Sequence, residues 1–385
     1  MLITLGPIVH NGGEVYVRVE LMENEFWTLA RTPAAGMPSD GDFAFATGPA
    51  PTPGSGQMLT RTVYISLDPY QWGRRRSGLE TVGEVCHART VSQVVDSNIP
   101  EYQPGDFVFN TNGWQRYGLT GDNISVFGYM YPRKIDPTAA PISTAVGVLG
   151  MLGLTAYAGL IVQCDPKPGE TVVVSAASGG VGQIAGQLAR IRGCRVVGIA
   201  GAKHKCDYVV DDLRFDACVS HLSDSFADDL RDACPNGVDV YFENVGGNVF
   251  AGVLPLLNRQ SRITRCGLIS QYGNTDGKDP AEEWAKQGAS VFEKQAVAAH
   301  PLAVRNFVAD YQTQCFTEMA QWVRDGEICY REDLWDGLEN VPSAFSAMLK
   351  GGNFGKTLVR VSPDPTLSEA LNRAREAGDI FLSRH

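Results

Sequence analysis

At 385 residues the chain is longer than one small core needs, and suits two domains or one domain inserted in another. Its 44% hydrophobic and 20% charged residues are the mix of a globular protein and exclude wholesale disorder. A formal charge of −10 argues against nucleic acid or an anionic membrane as partner, since both favour basic surfaces.

Residues 1–22 read as a leader, a short strand or arm. They carry Glu14, Arg18 and Glu20 and lack the basic start and apolar run of a secretory signal. No stretch approaches the roughly 18 apolar residues of a membrane span, so a cytoplasmic location is the expectation. Residues 26–30 are strand-like, 33–38 turn-rich, 49–56 a Pro/Gly loop and 58–66 a strand. Short strands continue through 103–109, and the segment to about 135 is β-rich with no helical repeat. From Ala140 the texture changes: 143–160 is apolar, rich in Gly and Ala, and of helical length.

Strands are then expected at 171–175, 195–199, 217–219, 238–242 and 262–266. Helices are expected between them at 180–192, 203–213, 226–233 and 249–257. This alternation predicts a parallel sheet with helices on both faces. After Ile328 the chain turns β again, at 356–361, which suggests a return to the first domain. The expected division is a leader (1–22), a first domain (23–142 and 326–362) interrupted by a nucleotide domain (143–325), and a tail (363–385) with a helix at 367–377.

The nine cysteines include no C-x-x-C pair and read as free thiols in a reducing compartment. Cys86 and His87 are adjacent but have no third ligand nearby, so they read as incidental, and no metal site is expected. His10, His204, His300 and His385 have no recognisable partners and read as surface residues.

The most informative segment is Val172-Val-Val-Ser-Ala-Ala177-Ser178-Gly179-Gly180-Val181-Gly182. A buried strand meets a small-residue turn and then a helix, and Ala177, Gly179 and Gly182 match G-x-G-x-x-G with alanine in the first place. Small residues let the backbone approach a pyrophosphate, and the helix start offers unpaired N–H groups and a positive dipole end. NAD sites place an acid at the end of the second strand to bond the ribose 2′-hydroxyl. Here that stretch is Ile199-Ala-Gly201-Ala-Lys203-His-Lys205, with two lysines and no acid, which selects NADP(H).

The chain resembles the zinc-independent double-bond reductases of the medium-chain dehydrogenase/reductase superfamily, among them prostaglandin (leukotriene) reductases, plant alkenal reductases and curcumin reductase-like enzymes. The likeness covers roughly residues 24–361. It rests on Ser66-Leu-Asp-Pro-Tyr70, Leu149-Gly-Met-Leu-Gly-Leu-Thr155-Ala-Tyr157, the glycine turn, Gly198-Ile-Ala-Gly201 with Lys205, Tyr241-Phe-Glu-Asn244-Val-Gly-Gly247, Cys266-Gly-Leu-Ile-Ser-Gln-Tyr272 and Asn353-Phe-Gly-Lys356. The resemblance implies a Rossmann domain, a doubly wound parallel sheet, inserted in a β-rich GroES-like catalytic domain. It implies that Lys205 holds the 2′-phosphate and that Asn244, Thr155, Cys266, Gly267, Ile269, Ser270 and Asn353 line the cofactor. Tyr272 would sit near the nicotinamide and bond the substrate carbonyl, and Tyr70 would line the substrate pocket. The family forms dimers by joining nucleotide-domain sheets edge to edge, so a homodimer is expected.

The pattern is broken in four places. His221 stands where a tyrosine near the adenosine phosphate is usual, and Leu152 replaces a proline. The loop after Tyr70 is short, and Val85-Cys-His-Ala-Arg89 replaces the glycine-rich start of a strand.

The expected reaction delivers hydride to the β-carbon of an enone or enal. A Tyr272 hydroxyl then stabilises the enolate oxygen, and solvent protonates the α-carbon. Carbonyl reduction in the manner of zinc alcohol dehydrogenases would need a Cys/His/Glu ligand set that the sequence lacks. A quinone reductase using the same cofactor site is the first alternative, and a non-catalytic NADP(H)-binding protein the second.

Overall fold

The computed structural model describes residues 3–11 and 14–368, with side chains from residue 22 onward. The leader pairs as an antiparallel hairpin of β1 (Ile3–Asn11) and β2 (Glu14–Leu21). The expected tail helix lies almost entirely outside the described residues.

The first domain holds β3 (Glu23–Leu29) paired to β4 (Phe43–Pro49), then β5 (Gln57–Ser66), α1 (Tyr70–Arg76), β6 (Thr90–Ser97), β7 (Phe107–Asn110), β8 (Tyr117–Gly121) and β9 (Arg133–Ile135). After the nucleotide domain the chain adds β16 (Glu332–Asp336), α9 (Val341–Leu349) and β17 (Lys356–Arg360). A seven-stranded sheet runs β16-β17-β5-β6-β7-β9, with β8 also on β5. It is antiparallel except where β16 and β17 run parallel. The pairing of Leu358 with Ser66 places the returning strand beside β5.

The inserted domain is the doubly wound one. Its strands are β10 (Thr171–Ser175), β11 (Arg195–Ala200), β12 (Ala217–Ser220), β13 (Val238–Glu243), β14 (Leu257–Arg265) and β15 (Ala298–Pro301). Every pairing is parallel, in the order β12-β11-β10-β13-β14-β15, which is the Rossmann order 3-2-1-4-5-6. Thr171–Ser175 is buried at all five positions because helices cover both faces, so it needs no polar alternation. The covering helices are α3 (Gly182–Ile191), α4 (Lys203–Asp211), α5 (Phe226–Ala233), α6 (Gly247–Val253), α7 (Pro280–Gln295) and α8 (Val308–Arg324).

Four expectations differ from the structure. The first domain contains a helix, α1. The 143–160 stretch is not one helix: a 3-10 turn (Ile142–Val146) breaks at extended Gly150, then α2 (Met151–Ala156) runs into π-helical Tyr157–Cys164. The helix placed at 249–257 starts earlier, at Gly247, and gives way to β14 by Leu257. Helices α7, α8 and α9 have no counterpart in the sequence reading.

Candidate active site

The glycine turn lies at the carboxyl end of β10. Ala176 takes a positive φ of 49°, and its carbonyl accepts the N–H of Gly179 at 2.9 Å. Gly182 opens α3 so close to this turn that a Cβ on it would lie 2.2 Å from the Ala176 oxygen. Ala177 and Ser178 are buried beneath, while Gly180 and Val181 are half-buried on the rim. The returning chain meets the turn through a parallel bridge between Gly179 and Gly355.

At the switch point, where strand order reverses between β10 and β13, Asn244 is fixed by two bonds to Ser175. Its N–H donates to Ser175 Oγ (2.8 Å) and its Nδ2 to the Ser175 carbonyl (2.7 Å). Behind it the buried Glu243 carboxylate accepts from Tyr241 Oη (2.9 Å), Val245 N (2.7 Å), Gly246 N (3.0 Å) and Trp284 Nε1 (3.2 Å). Burial raises the Glu243 pKa and these donors oppose the rise, so the carboxyl anchors the loop from below.

The segment after β14 packs on that anchor. Cys266 and Gly267 donate to the Glu243 carbonyl at 2.9 and 3.1 Å. Ile269 donates to the Asn244 carbonyl (3.1 Å), and Ser270 Oγ to the Val245 carbonyl (2.6 Å). Burial pushes the Cys266 thiol up to about 12, so it is a neutral wall and not a nucleophile. Tyr272 Oη accepts the Leu268 N–H at 3.5 Å and would lie 3.4 Å from a Cβ at Gly267. The bare backbone there leaves room beside the hydroxyl. Thr155 lies on α2, its Oγ1 bonded back to the Met151 carbonyl at 2.6 Å.

On the adenosine side the two lysines separate. Lys203 is 87% exposed and pairs with Asp207 at 2.7 Å. Lys205 turns inward and donates to the carbonyls of Gly351 (2.9 Å) and Asn353 (2.6 Å). An ammonium has three hydrogens, so one remains for a phosphate. His221 lies beside Gly201, its Nε2 3.5 Å from a Cβ placed there. The donor set of Lys205, His221 and the bare backbone at Gly201 fits a 2′-phosphate, and the turn before α3 fits a pyrophosphate.

The first domain supplies the opposite wall through α1. Tyr70, its first residue, meets His87 Nε2 at 2.8 Å through its hydroxyl. Arg75 is fully buried and bonds Glu80 (3.1 Å) and the His87 carbonyl (3.0 Å). Arg76 donates to the Tyr272 carbonyl at 2.7 Å, so one short helix braces both tyrosines. Just before it, buried Asp68 pairs with Arg89 (2.8 Å) and Lys356 (3.1 Å). Lys356 also donates to the Leu67 carbonyl at 2.5 Å, and its side chain would lie 3.3 Å from a Cβ at Gly180. The Tyr70 segment is thereby tied to the nucleotide turn.

Two models of known families match: "N-terminal domain of oxidoreductase" over residues 25–125 and "Zinc-binding dehydrogenase" over residues 180–296. The NADPH-dependent curcumin reductase of Escherichia coli (strain K12) is 43% identical over 350 residues, covering 89% of this chain and 98% of that one. The chain belongs to the zinc-independent double-bond reductases of the medium-chain dehydrogenase/reductase superfamily. The 2-alkenal reductase (NADP(+)-dependent) of Nicotiana tabacum is 36% identical over 320 residues, 80% of this chain and 88% of that one. The structure of CurA in complex with NADPH from Vibrio vulnificus superposes with a TM-score of 0.80 at 40% identity, covering 88% of this chain and all of that one.

Measured against the sequence reading, His87 is the main correction. It is not incidental: it is buried, and it bonds Tyr70. The signal was the histidine itself, but its partner lies 17 residues earlier and meets it only in the folded chain. Lys356, Asp68 and Arg89 stood in the sequence reading only as members of motifs without a role, and Arg76 not at all. His204 is exposed as expected, with its ring edge on Phe354 at 5.2 Å. Among the described residues no three His, Cys, Asp or Glu gather as a metal site, and no helix is long and apolar enough to cross a membrane. An open depression of about 640 Å³ lined by Arg231, Gly237 and Leu257 lies at the amino ends of β13 and β14, the end of the sheet away from the turn.

Proposed function

We propose that this protein reduces the carbon–carbon double bond of α,β-unsaturated ketones and aldehydes with NADPH. The observation that carries the reading is a tyrosine hydroxyl, that of Tyr272, held beside bare backbone at the carboxyl end of the nucleotide sheet. The relatives named for curcumin, a 2-alkenal and NADPH support the substrate class and the cofactor.

When bound, NADPH supplies a hydride. Lys205 and His221 hold its adenosine-side phosphate, and the turn from Ala177 to Gly182 holds its pyrophosphate. Asn244, Thr155, the Cys266–Ser270 stretch and Asn353 form the walls that orient it. Burial raises the Tyr272 pKa, so the phenol stays protonated at neutral pH and acts as a donor. Its oxygen accepts from Leu268 while its hydrogen is free for the substrate oxygen, where negative charge grows as the β-carbon is reduced. Solvent protonates the α-carbon, which completes the addition of two hydrogens.

The test is NADPH oxidation with product identification over alkenals, cyclic enones, phenylpropenones and quinones. Saturated ketones and aldehydes two hydrogens heavier than the substrate are expected. Hydroquinones alone, or no oxidation at all, would defeat the reading. Tyr272→Phe should lower kcat by about a hundredfold, the scale of one lost oxyanion donor, with NADPH affinity unchanged. Undiminished turnover would remove Tyr272 from the reaction.

A further inference from the structure

We propose that His87 is a positioning residue for Tyr70: its neutral ring donates Nε2–H to the Tyr70 oxygen, leaving the Tyr70 O–H to donate to the substrate's carbonyl oxygen. The identity of that acceptor rests on the enone-reductase reading. The proton arrangement within the pair does not.

The backbone of His87 is clamped on both sides. Its N–H donates to Glu80 Oε2 (3.1 Å), and its carbonyl accepts from Arg75 Nη2 (3.0 Å). The ring lies against Phe127, with centroids 3.7 Å apart, and the residue is 4% exposed. Nε2 bonds Tyr70, whereas Nδ1 is buried and has no hydrogen-bond partner among the described residues. Burial first, and then Arg74 and Arg75 on α1 and Arg89 ahead of β6, disfavour the imidazolium. Asp68 acts the other way, and the Glu80 carboxylate is taken up by Arg75 and the His87 N–H. The ring therefore carries one proton.

Two tautomers remain. A proton on Nδ1 would be a buried N–H with no acceptor, on a ring already in the positive field of Arg74, Arg75 and Arg89. Such an unmet donor costs about 1–3 kcal/mol before the charge repulsion is added. A lone pair on Nδ1 faces the same positive field favourably, so the proton belongs on Nε2. The Tyr70 oxygen then accepts, and its own hydrogen has to point elsewhere. Accepting one hydrogen bond also strengthens the one it donates.

Tyr70 is half-buried where His87 is buried, so of the pair it is Tyr70 that keeps contact with solvent. Burial raises the Tyr70 pKa and keeps the phenol protonated. With Tyr272 acting as proposed, the Tyr70 O–H would be a second donor to the substrate oxygen.

Two measurements on the full chain test the arrangement. Nitrogen-15 NMR of histidine-labelled protein, with His87 assigned from the spectrum of His87→Gln, should show a protonated Nε2 and a bare Nδ1 across about pH 5 to 8, the range in which an ordinary histidine titrates. The opposite tautomer, or titration within that range, would overturn the proposal.

In turnover of an enone, His87→Val should lower kcat about tenfold with the NADPH KM unchanged, while His87→Gln, which keeps an N–H near the Nε2 position, stays within about threefold of the wild type. Adding His87→Val to Tyr70→Phe should cost nothing more, because the two act as one unit. An equal loss in both backgrounds would reduce His87 to a packing residue. If His87→Val does not fold, the turnover of the glutamine variant and the tautomer of the wild-type ring still separate a positioning role from a packing one. Wild-type protein inactive on every enone would sink the enone reading and leave the tautomer result standing.

Discussion

Lys203 and Lys205 share a helix and a charge, yet only their folded surroundings tell them apart. Lys203 commits its ammonium to Asp207 in solvent, an exposed pair worth little. Lys205 is drawn inward by two carbonyls of the returning chain, at Gly351 and Asn353. A hydrogen bond to a charged group is worth about 1.5–3 kcal/mol, so Lys205→Ala should weaken NADPH binding about 10- to 100-fold. NADH binding, which involves no 2′-phosphate, should be unchanged, and Lys203→Ala should leave both cofactors alone. Fluorescence titration measures all three, and an equal loss for NADH would show that Lys205 merely braces the 351–353 loop. The preference for a phosphate was legible in the sequence as a missing acid after β11. The resemblance pointed to Lys205 for it, but the carbonyls that set Lys205 apart from Lys203 lie about 150 positions away and leave no local signal. The same holds for His87, whose partner is supplied by α1.

Short local signals explain which elements could be read. The unit of β10, turn and α3 is contiguous, and each of its residues has a local reason: five buried strand positions, a small-residue turn, then a helix start. Gly182 is the tightest point, with the Ala176 carbonyl where a side chain would go. Gly182→Ala has to push α3 off the sheet, and overpacking of that kind costs about 1–3 kcal/mol. A lowered Tm together with lost NADPH binding is the expected outcome. Unchanged binding in a well-folded variant would mean that the cofactor does not sit on this turn. Helix α7 was also legible in principle. Asp279 caps it through Ala281 N at 2.6 Å, Pro280 takes the first position, and Glu282 and Glu283 face the positive end of the helix. Helix α1 gives much weaker signals. It is seven residues long, contains Gly73 and ends in three arginines, a composition that resembles a solvated loop until Arg75 is seen buried against Trp114 and Phe345.

Two sets of buried polar contacts stand where the nucleotide domain meets the returning chain, one crossing the boundary and one on the first domain's side of it. Gln183 and Gln187 on α3, each 1% exposed, act as side-chain rungs. Gln183 donates to the Arg331 carbonyl (3.1 Å) and accepts its N–H (2.9 Å), while Gln187 does the same with Cys329 (2.7 and 2.8 Å). The sequence shows that the chain returns after Ile328 but not that a helix takes the place of a neighbouring strand. The second set is Arg89, Asp68 and Lys356, three charges that are each 5% exposed or less. Burial opposes the Asp68 carboxylate, but Arg89 and Lys356 outweigh it and hold its pKa well below the ordinary 3.8. A carboxyl depressed in the folded state stabilises the protein above its unfolded pKa and loses that contribution as pH falls through the folded one. Asp68→Asn leaves two buried cations without their counter-charge and should cost about 3–5 kcal/mol at neutral pH. The deficit should begin to shrink below about pH 4, where the unfolded wild-type chain takes up a proton at Asp68 that the folded protein still refuses, and should vanish once pH falls past the depressed folded value. Denaturant unfolding of both proteins at neutral and acid pH measures the difference directly. A deficit that is the same at every pH would mean that Asp68 contributes through its packing and its bond from Ser66 (2.7 Å), and that its charge does not hold the Tyr70 segment to the glycine turn.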